Sequence, residues 1–429
     1  MVDVDAADHN NEDDVTQQST TEFSIRELTD VELDFERALA GVSPQDGTGS
    51  SSNGSNQTSG SDKEKEGRQE GSDKEEKPLG FFGTVSNLFK ACGLLCVIGC
   101  PPVPEIITRK VAFHPPECTY SAYLRADPAK KRIVAARKLQ NKDFVLQPTP
   151  IHGIEQHEYD RIMRQCTTFT VTTREKTILV GAHFHPSSYP VNAREDLSSF
   201  GKQVIIFAQP NSSDIGSFMQ PHSVSFAALA NAMHMDIYAF DYSGYGLSSG
   251  YPSERNVYAD VHAVYDYVRK ERPDKRICLI GYSIGTSAVT DLASLEPPGL
   301  SGVILVAPFT SGMRLMWNAP AQEKTCCLDR FTSAEKITEV NVPVLIIHGA
   351  DDTMISMDHS QELHRRLKHP VPPLFVHGAD HMSIFNGTNP ETFRRIYKFL
   401  KTEAFVGGGP ASSSSKDKTT ATTSESRDE

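Results

Sequence analysis

The chain has 429 residues, 23% of them charged, with eight cysteines and a formal net charge of −12. The acidity is local: residues 1–80 hold 20 Asp/Glu against 7 Lys/Arg, which leaves 35 against 36 for residues 81–429, so net charge says nothing about a ligand of the folded part. No basic stripe, zinc-type Cys/His spacing or glycine-rich phosphate loop occurs, and nucleic-acid, metal and nucleotide-cofactor roles are set aside.

From the N-terminus, Met-Val-Asp-Val-Asp offers neither a basic nor an apolar region of a secretory signal. The scattered Cys118, Cys166, Cys278, Cys326 and Cys327 lack the spacing of a disulfide framework, so a reducing, cytosolic setting is expected. Residues 1–80 are polar and acidic, with a Ser/Gly/Asn run over 47–60. They have too little apolar surface to offset chain ordering and read as a disordered tail. The stretch 23–39, with Ile25, Leu28, Val31, Leu33, Phe35 and Leu39, reads as a transient helix.

Residues 81–110 change character. Ala91-Cys92-Gly-Leu-Leu-Cys96-Val-Ile-Gly-Cys100 is apolar, yet the uninterrupted part, 91–104, falls well short of the roughly 20 residues that span a bilayer. Cys92, Cys96 and Cys100 share one face if the segment is helical. S-acylation of these three cysteines converts a marginal apolar segment into a stable membrane anchor. A buried helix covering the folded domain is the alternative.

Residues 111–405 alternate strands and helices. The β-branched stretches 167–172 and 176–184 suggest a hairpin opening a sheet. Short apolar strands are predicted over 203–208, 235–240, 276–280, 302–307, 342–347 and 373–376, with helices over 225–233, 257–271, 286–295, 357–367 and 391–405. Repeated β-α-β crossovers with apolar strands define an α/β fold with a mostly parallel, doubly wound sheet. The segment between Pro308 and Val342 leaves room for a short cap. Residues 406–429, rich in Gly and Ser, read as a second disordered tail.

The chemistry centres on Gly281-Tyr-Ser283-Ile-Gly285. A serine on a sharp strand-to-helix turn sits in a strained backbone, where side chains two residues either side would collide. The helix start that follows turns its N–H groups toward a developing oxyanion, so Ile284 N–H is one expected donor. The second comes from the loop after strand 203–208. Ligands of such sheets bind beyond the carboxyl ends of the strands. There, His348-Gly-Ala-Asp351-Asp352 follows one later strand and His377-Gly-Ala-Asp380-His381 the next. Ser, Asp, His is the chain order of α/β-hydrolases. His381 is expected to accept the Ser283 proton and Asp352 to orient the imidazole, with Asp351 competing for that role and Asp380 a bystander.

Longer motifs narrow the assignment. Asp241-Tyr-Ser-Gly-Tyr-Gly-Leu-Ser-Ser-Gly-Tyr-Pro, Gly281-Tyr-Ser-Ile-Gly, Pro308-Phe-Thr-Ser-Gly-Met-Arg, Val344-Leu-Ile-Ile-His-Gly and Lys110-Val-Ala-Phe-His-Pro-Pro-Glu resemble the alpha/beta hydrolase domain-containing protein 17 family from the cysteine cluster to about residue 399. The resemblance implies an α/β-hydrolase fold and a membrane-associated depalmitoylase: a thioesterase acting on S-palmitoylated membrane proteins, without cofactor. It implies a triad of Ser283, Asp352 and His381, with the acid placed by the pattern His-Gly, two residues, Asp, two residues, Ile. It further implies palmitoylation of the N-terminal cysteines and residence on the cytoplasmic face of plasma and endosomal membranes. The chain departs from the family at Gln209-Pro210-Asn211, where members resemble His-Gly-Asn. Proline carries no N–H and cannot copy a glycine of positive φ, so the second oxyanion donor is Asn211 N–H. A lipid esterase on the same triad and a membrane-tethered scaffold are the rival readings.

Overall fold

The computed structural model describes residues 109–404, apart from 111, 127–130, 134, 188–199 and 222–223. The tails, and the part of segment 81–110 that holds Cys92, Cys96 and Cys100, lie outside the described residues.

The apolar runs form the centre of an eight-stranded sheet. Its strands are β4 (Cys166–Thr172), β5 (Ile178–Phe184), β6 (Gln203–Ala208), β7 (Asp236–Phe240), β8 (Arg276–Tyr282), β9 (Leu300–Val306), β10 (Val344–Gly349) and β11 (Leu374–Val376). They lie in the order β11-β10-β9-β8-β6-β7-β5-β4. From β7 to β11 all pairings are parallel, while β5 is antiparallel to both β4 and β7. The expected hairpin is therefore present, with Thr172 opposite Ile178.

Continuous apolar strands arise because both faces of the sheet are covered. Along β6, Ile205 and Phe207 join one core, and Val204, Ile206 and Ala208 join the other. The same alternation places Leu345 and Ile347 of β10 on one face and Val344 and Ile346 on the opposite one. Each fully buried side chain of this kind contributes about 1.5–3 kcal/mol relative to exposure.

Helix caps set the boundaries that periodicity leaves open. Helix α1 (Gln156–Met163) precedes β4; α2 (Phe226–Met233) starts where Ser225 Oγ accepts the Ala228 N–H, and α3 (Glu254–Glu271) where Ser253 Oγ accepts that of Asn256. The second cap moves the start of α3 three residues ahead of the predicted Val257, because a serine at the N-cap satisfies an otherwise orphaned N–H. The predicted C-terminal helix divides into Pro390–Lys398 and a π-helical turn, Phe399–Glu403.

A second sheet ahead of β4 was not expected. Strands β1 (Tyr120–Leu124), β2 (Arg132–Ile133) and β3 (Phe144–Pro148) form an antiparallel unit in the order β2-β1-β3. It is fastened to the carboxyl end of the main sheet by Tyr120 Oη donating to Asp241 Oδ2 at 2.5 Å and Thr119 N–H donating to Asp214 Oδ2 at 2.7 Å.

One buried carboxyl of α3 gives the fold a pH dependence. Burial pushes Asp260 up to about 7, against the lowering effect of the Ser243 N–H and Ser243 Oγ–H that it accepts at 2.7 Å each. The folded chain therefore holds a proton that the unfolded chain releases near pH ~3.9. Stability from this site falls as pH rises between those values. In Asp260→Asn, whose amide can both accept from and donate to Ser243, the thermal midpoint relative to wild type should climb by several degrees from about pH 5 to about pH 8. A pH-independent difference would remove Asp260 as the cause.

Candidate active site

The sheet order reverses direction at β6. The chain leaves β6 toward β7 on one side and returns through α3 to β8 on the other, so the loops after β6 and β8 diverge around a crevice. Ala208 and Gly281 are paired at the ends of these two strands. Ser283 follows immediately, at φ 53° and ψ −117°, before helix α4 (Ile284–Ala293). Positive φ is costly for a side-chain-bearing residue. Close packing makes this turn possible. A Cβ on Gly281 would lie 2.6 Å from Val289 Cγ2 and 2.7 Å from the Gly285 carbonyl oxygen, and one on Gly285 would lie 2.2 Å from the Ala208 carbonyl oxygen. The glycines thus let helix, strand and neighbouring loop meet, and the Ser283 N–H is held by Val306 O at 2.9 Å.

The loops after β10 and β11 bring the other two residues in. His381 Nε2 lies 3.1 Å from Ser283 Oγ, and His381 Nδ1 lies 2.7 Å from Asp352 Oδ2. Asp352 Oδ1 also accepts the N–H groups of Met354 and Ile355, each at 2.9 Å, and His348 Nε2 stands 3.2 Å from Oδ2. Burial alone would raise this carboxyl. Hydrogen bonds from His348, His381 and the Ile355 N–H outweigh burial and hold it well below the usual carboxylate range. An ionised carboxylate only accepts, so His381 carries its proton on Nδ1 and leaves Nε2 free to take the serine proton. Tyr282 Oη donates to the His381 carbonyl and fixes the backbone beneath the ring.

The two neighbouring aspartates are placed otherwise. Asp351 is exposed, and its N–H donates to Ala379 O at 3.0 Å. Asp380 accepts the N–H groups of Ser383 and Met382 at 2.7 and 3.0 Å, and these bonds lower its carboxyl. It is occupied by its own turn.

Ser283, His381, Ile284, Pro210 and Asn211 line one cavity of about 560 Å³, whose remaining wall is largely apolar and includes Phe309, Met313, Leu315, Leu328 and Phe331. Ile284 opens α4 on one side of Ser283. Asn211 belongs to the loop after β6, where its side chain accepts from Tyr245 Oη at 2.7 Å and His114 N–H at 3.1 Å and donates to Ala112 O at 2.8 Å. The part of the cap that walls the cavity is a short helix, α5 (Gly312–Met316), followed by an irregular segment. Arg314, fully buried, pins that segment by donating to Gln322 O at 2.7 Å and pairing with Glu335. Sequence reasoning missed His348 as a neighbour of the acid, and Tyr245 and Gln209 as supports of the loop. Tyr245 stands in the Asp241–Gly246 motif, which gives no sign of that role. Among the described residues, no cluster of three or more His, Cys, Asp or Glu side chains is placed to hold a metal ion.

A strained serine at the strand-to-helix turn of an α/β-hydrolase sheet, hydrogen-bonded through a histidine to a buried carboxylate, defines a serine hydrolase. Residues 219–331 match the family described as Serine aminopeptidase, S33. Alpha/beta hydrolase domain-containing protein 17C of Xenopus laevis is 33% identical over 291 residues, covering 66% of this chain and 86% of the relative. The 17B protein of Homo sapiens is 33% identical over 283 residues, covering 65% and 85%. This chain belongs to the alpha/beta hydrolase domain-containing protein 17 family. A solved esterase structure from Pyrococcus furiosus overlays with a TM-score of 0.45 at 18% identity, covering 59% of this chain and 99% of that one.

Proposed function

We propose that this hydrolase removes palmitate from S-acylated cysteines of membrane-associated proteins. Ser283 Oγ attacks the thioester carbonyl while His381 Nε2 takes its proton, and Asp352 stabilises the imidazolium. The oxyanion is met by the N–H groups of Ile284 and Asn211. Collapse of the tetrahedral intermediate expels the cysteine thiolate, which needs little acid assistance because a cysteine thiol has a pKa of about 8.5. Water activated by His381 then releases palmitate from acyl-Ser283.

The observation that carries this reading is the apolar cavity that opens directly on Ser283. Its rim supports an origin for the substrate in a lipid surface. Met316, Met354 and Met382 line the cavity while 75%, 66% and 59% exposed, and Trp317 beside Met316 is 53% exposed. Such apolar groups are unfavourable in water and suit an acyl chain entering from the bilayer.

The deciding experiment compares release of palmitate from a thioester-linked peptide with release from the matched oxygen ester. Thioester turnover at least tenfold faster is expected. Equal turnover would replace the proposal with a lipid esterase. No turnover and no fluorophosphonate labelling would replace it with a binding scaffold.

The same reading takes Cys92, Cys96 and Cys100 as palmitoylated anchors holding the enzyme on the cytoplasmic face of plasma and endosomal membranes. No helix among the described residues is long and apolar enough to cross a membrane, and two or more acyl chains suffice for stable residence. Changing all three cysteines to serine should release the protein from membranes and cut deacylation of membrane substrates in cells. Turnover of a soluble thioester by the purified variant should stay unchanged. A triple variant that stays on membranes would exclude acyl anchoring.

A further inference from the structure

The loop after β6 carries the Asn211 N–H and has proline at the position before it. Proline donates nothing, and among the described residues no backbone–backbone hydrogen bond of the loops and turns involves residues 209–213, so side chains supply the hold. Beside the bonds of Asn211 with Ala112 and His114, a short segment after β7 reaches the loop at several points. Asp241 Oδ1 accepts the Gln209 Nε2–H and the Ile215 N–H, both at 2.9 Å, and thereby grips the two ends of the loop. Tyr242 Oη donates to Gln209 O at 2.8 Å, and Tyr245 Oη donates to Asn211 Oδ1 at 2.7 Å. All three residues are fully buried, and none lines the cavity. Their side-chain bonds to this loop fall on Gln209, Asn211 and Ile215, around the donor.

The segment is itself fixed. Tyr120 Oη donates to Asp241 Oδ2 and accepts the Leu247 N–H at 3.1 Å. Gly246, at φ +47°, lets the backbone pass where a Cβ would come within 1.9 Å of Asp241 Oδ2. The turn is thus wrapped around its own carboxylate, which leaves the two tyrosine hydroxyls aimed at the loop.

We infer that Asp241, Tyr242 and Tyr245 are positioning residues of the oxyanion site: they set the direction from which the Asn211 N–H meets the acyl carbonyl oxygen at Ser283. This rests on Ser283 being the nucleophile. It also accounts for the tolerance of Pro210, since the donor is aimed by side chains from another segment and not by a glycine in the loop. Preorganised donors act because their direction is fixed before charge develops, and displacements of about 1 Å cost up to about a hundredfold in rate.

Tyr245→Phe deletes one hydroxyl and preserves the ring. We expect kcat to fall about tenfold, with KM within twofold. Affinity for a trifluoromethyl ketone bearing the same acyl chain, whose adduct oxygen occupies the oxyanion position, should fall by the same factor as kcat/KM. Tyr265→Phe serves as the control. Its hydroxyl donates to Pro298 O at 3.1 Å, at the opposite end of the strands, and its loss should leave kcat and ketone affinity alone. Asp241→Asn should lose more than Tyr245→Phe; if it fails to fold, Tyr245→Phe still decides. Unchanged kcat in Tyr245→Phe, or a loss confined to KM, overturns the positioning role. Ser283→Ala measured alongside separates the two readings. If it is inactive while Tyr245→Phe is unaffected, the positioning role alone is overturned; if it remains active, the nucleophile falls and the positioning role with it.

Discussion

Ser283→Ala should lower kcat by roughly six orders of magnitude and abolish fluorophosphonate labelling, while the thermal midpoint stays within about 2 °C of wild type. The reason lies in how little of the fold depends on the hydroxyl. Ser283 Oγ makes no cap bond to α4, and its contact is His381 Nε2 at 3.1 Å. The strained backbone at φ 53° is retained by alanine, because it is imposed by the packing of Gly281 and Gly285 and by the Ser283 N–H bond to Val306 O. His381→Ala should match this loss, since removing either member of the pair removes the function of both. Covalent labelling that survives in Ser283→Ala would place the nucleophile on another side chain.

The second large effect separates two adjacent aspartates. Asp352→Asn should reduce kcat about 10⁴-fold, whereas Asp351→Asn should stay within about twofold of wild type. In the first variant the amide oxygen remains with the Met354 and Ile355 N–H groups, which Asp352 Oδ1 accepts now. That leaves Nδ2, a donor, facing His381 Nδ1. The ring must then carry its proton on Nε2, the nitrogen that has to accept from Ser283. Asp351 is exposed, and its backbone makes the structural bond to Ala379. Equal losses from the two substitutions, at unchanged thermal midpoints, would overturn the assignment of Asp352.

The sheet and the three residues at its carboxyl edge were legible because two strong local signals coincide. A strand buried on both faces must be apolar throughout, so β6, β8 and β10 stand out without periodicity. A site at strand ends needs polar residues immediately after such runs, and His348-Gly-Ala-Asp351-Asp352 and His377-Gly-Ala-Asp380-His381 supply them. The choice between Asp351 and Asp352 was not legible from residue types, since both follow the same strand. Family resemblance pointed to Asp352, and the bonds from Met354, Ile355 and His381 agree with it. The β1–β3 sheet escaped notice for a physical reason. Its strands are five, two and five residues long, too short and too mixed in polarity to carry a period, and their stability comes from contacts with distant segments. Tyr120 and Asp241 are 121 residues apart. The support of Asn211 by Tyr245 was hidden likewise, because a tyrosine in a glycine-rich turn reads equally well as core packing.

The placement of β11 has a temporal consequence during synthesis. This edge strand has three residues and is held by pairing with β10, yet it delivers His381. Ser283, the loop bearing Asn211 and the Tyr120–Asp241 tie all lie upstream of it, and the base arrives about a hundred residues after the nucleophile. A ribosome-bound chain that has already formed its nucleophile turn therefore carries a serine with no proton acceptor. Since pairings between distant segments form slowly, the hydrolase becomes complete only when the last strand adds to the edge, and until then the nascent chain is inert.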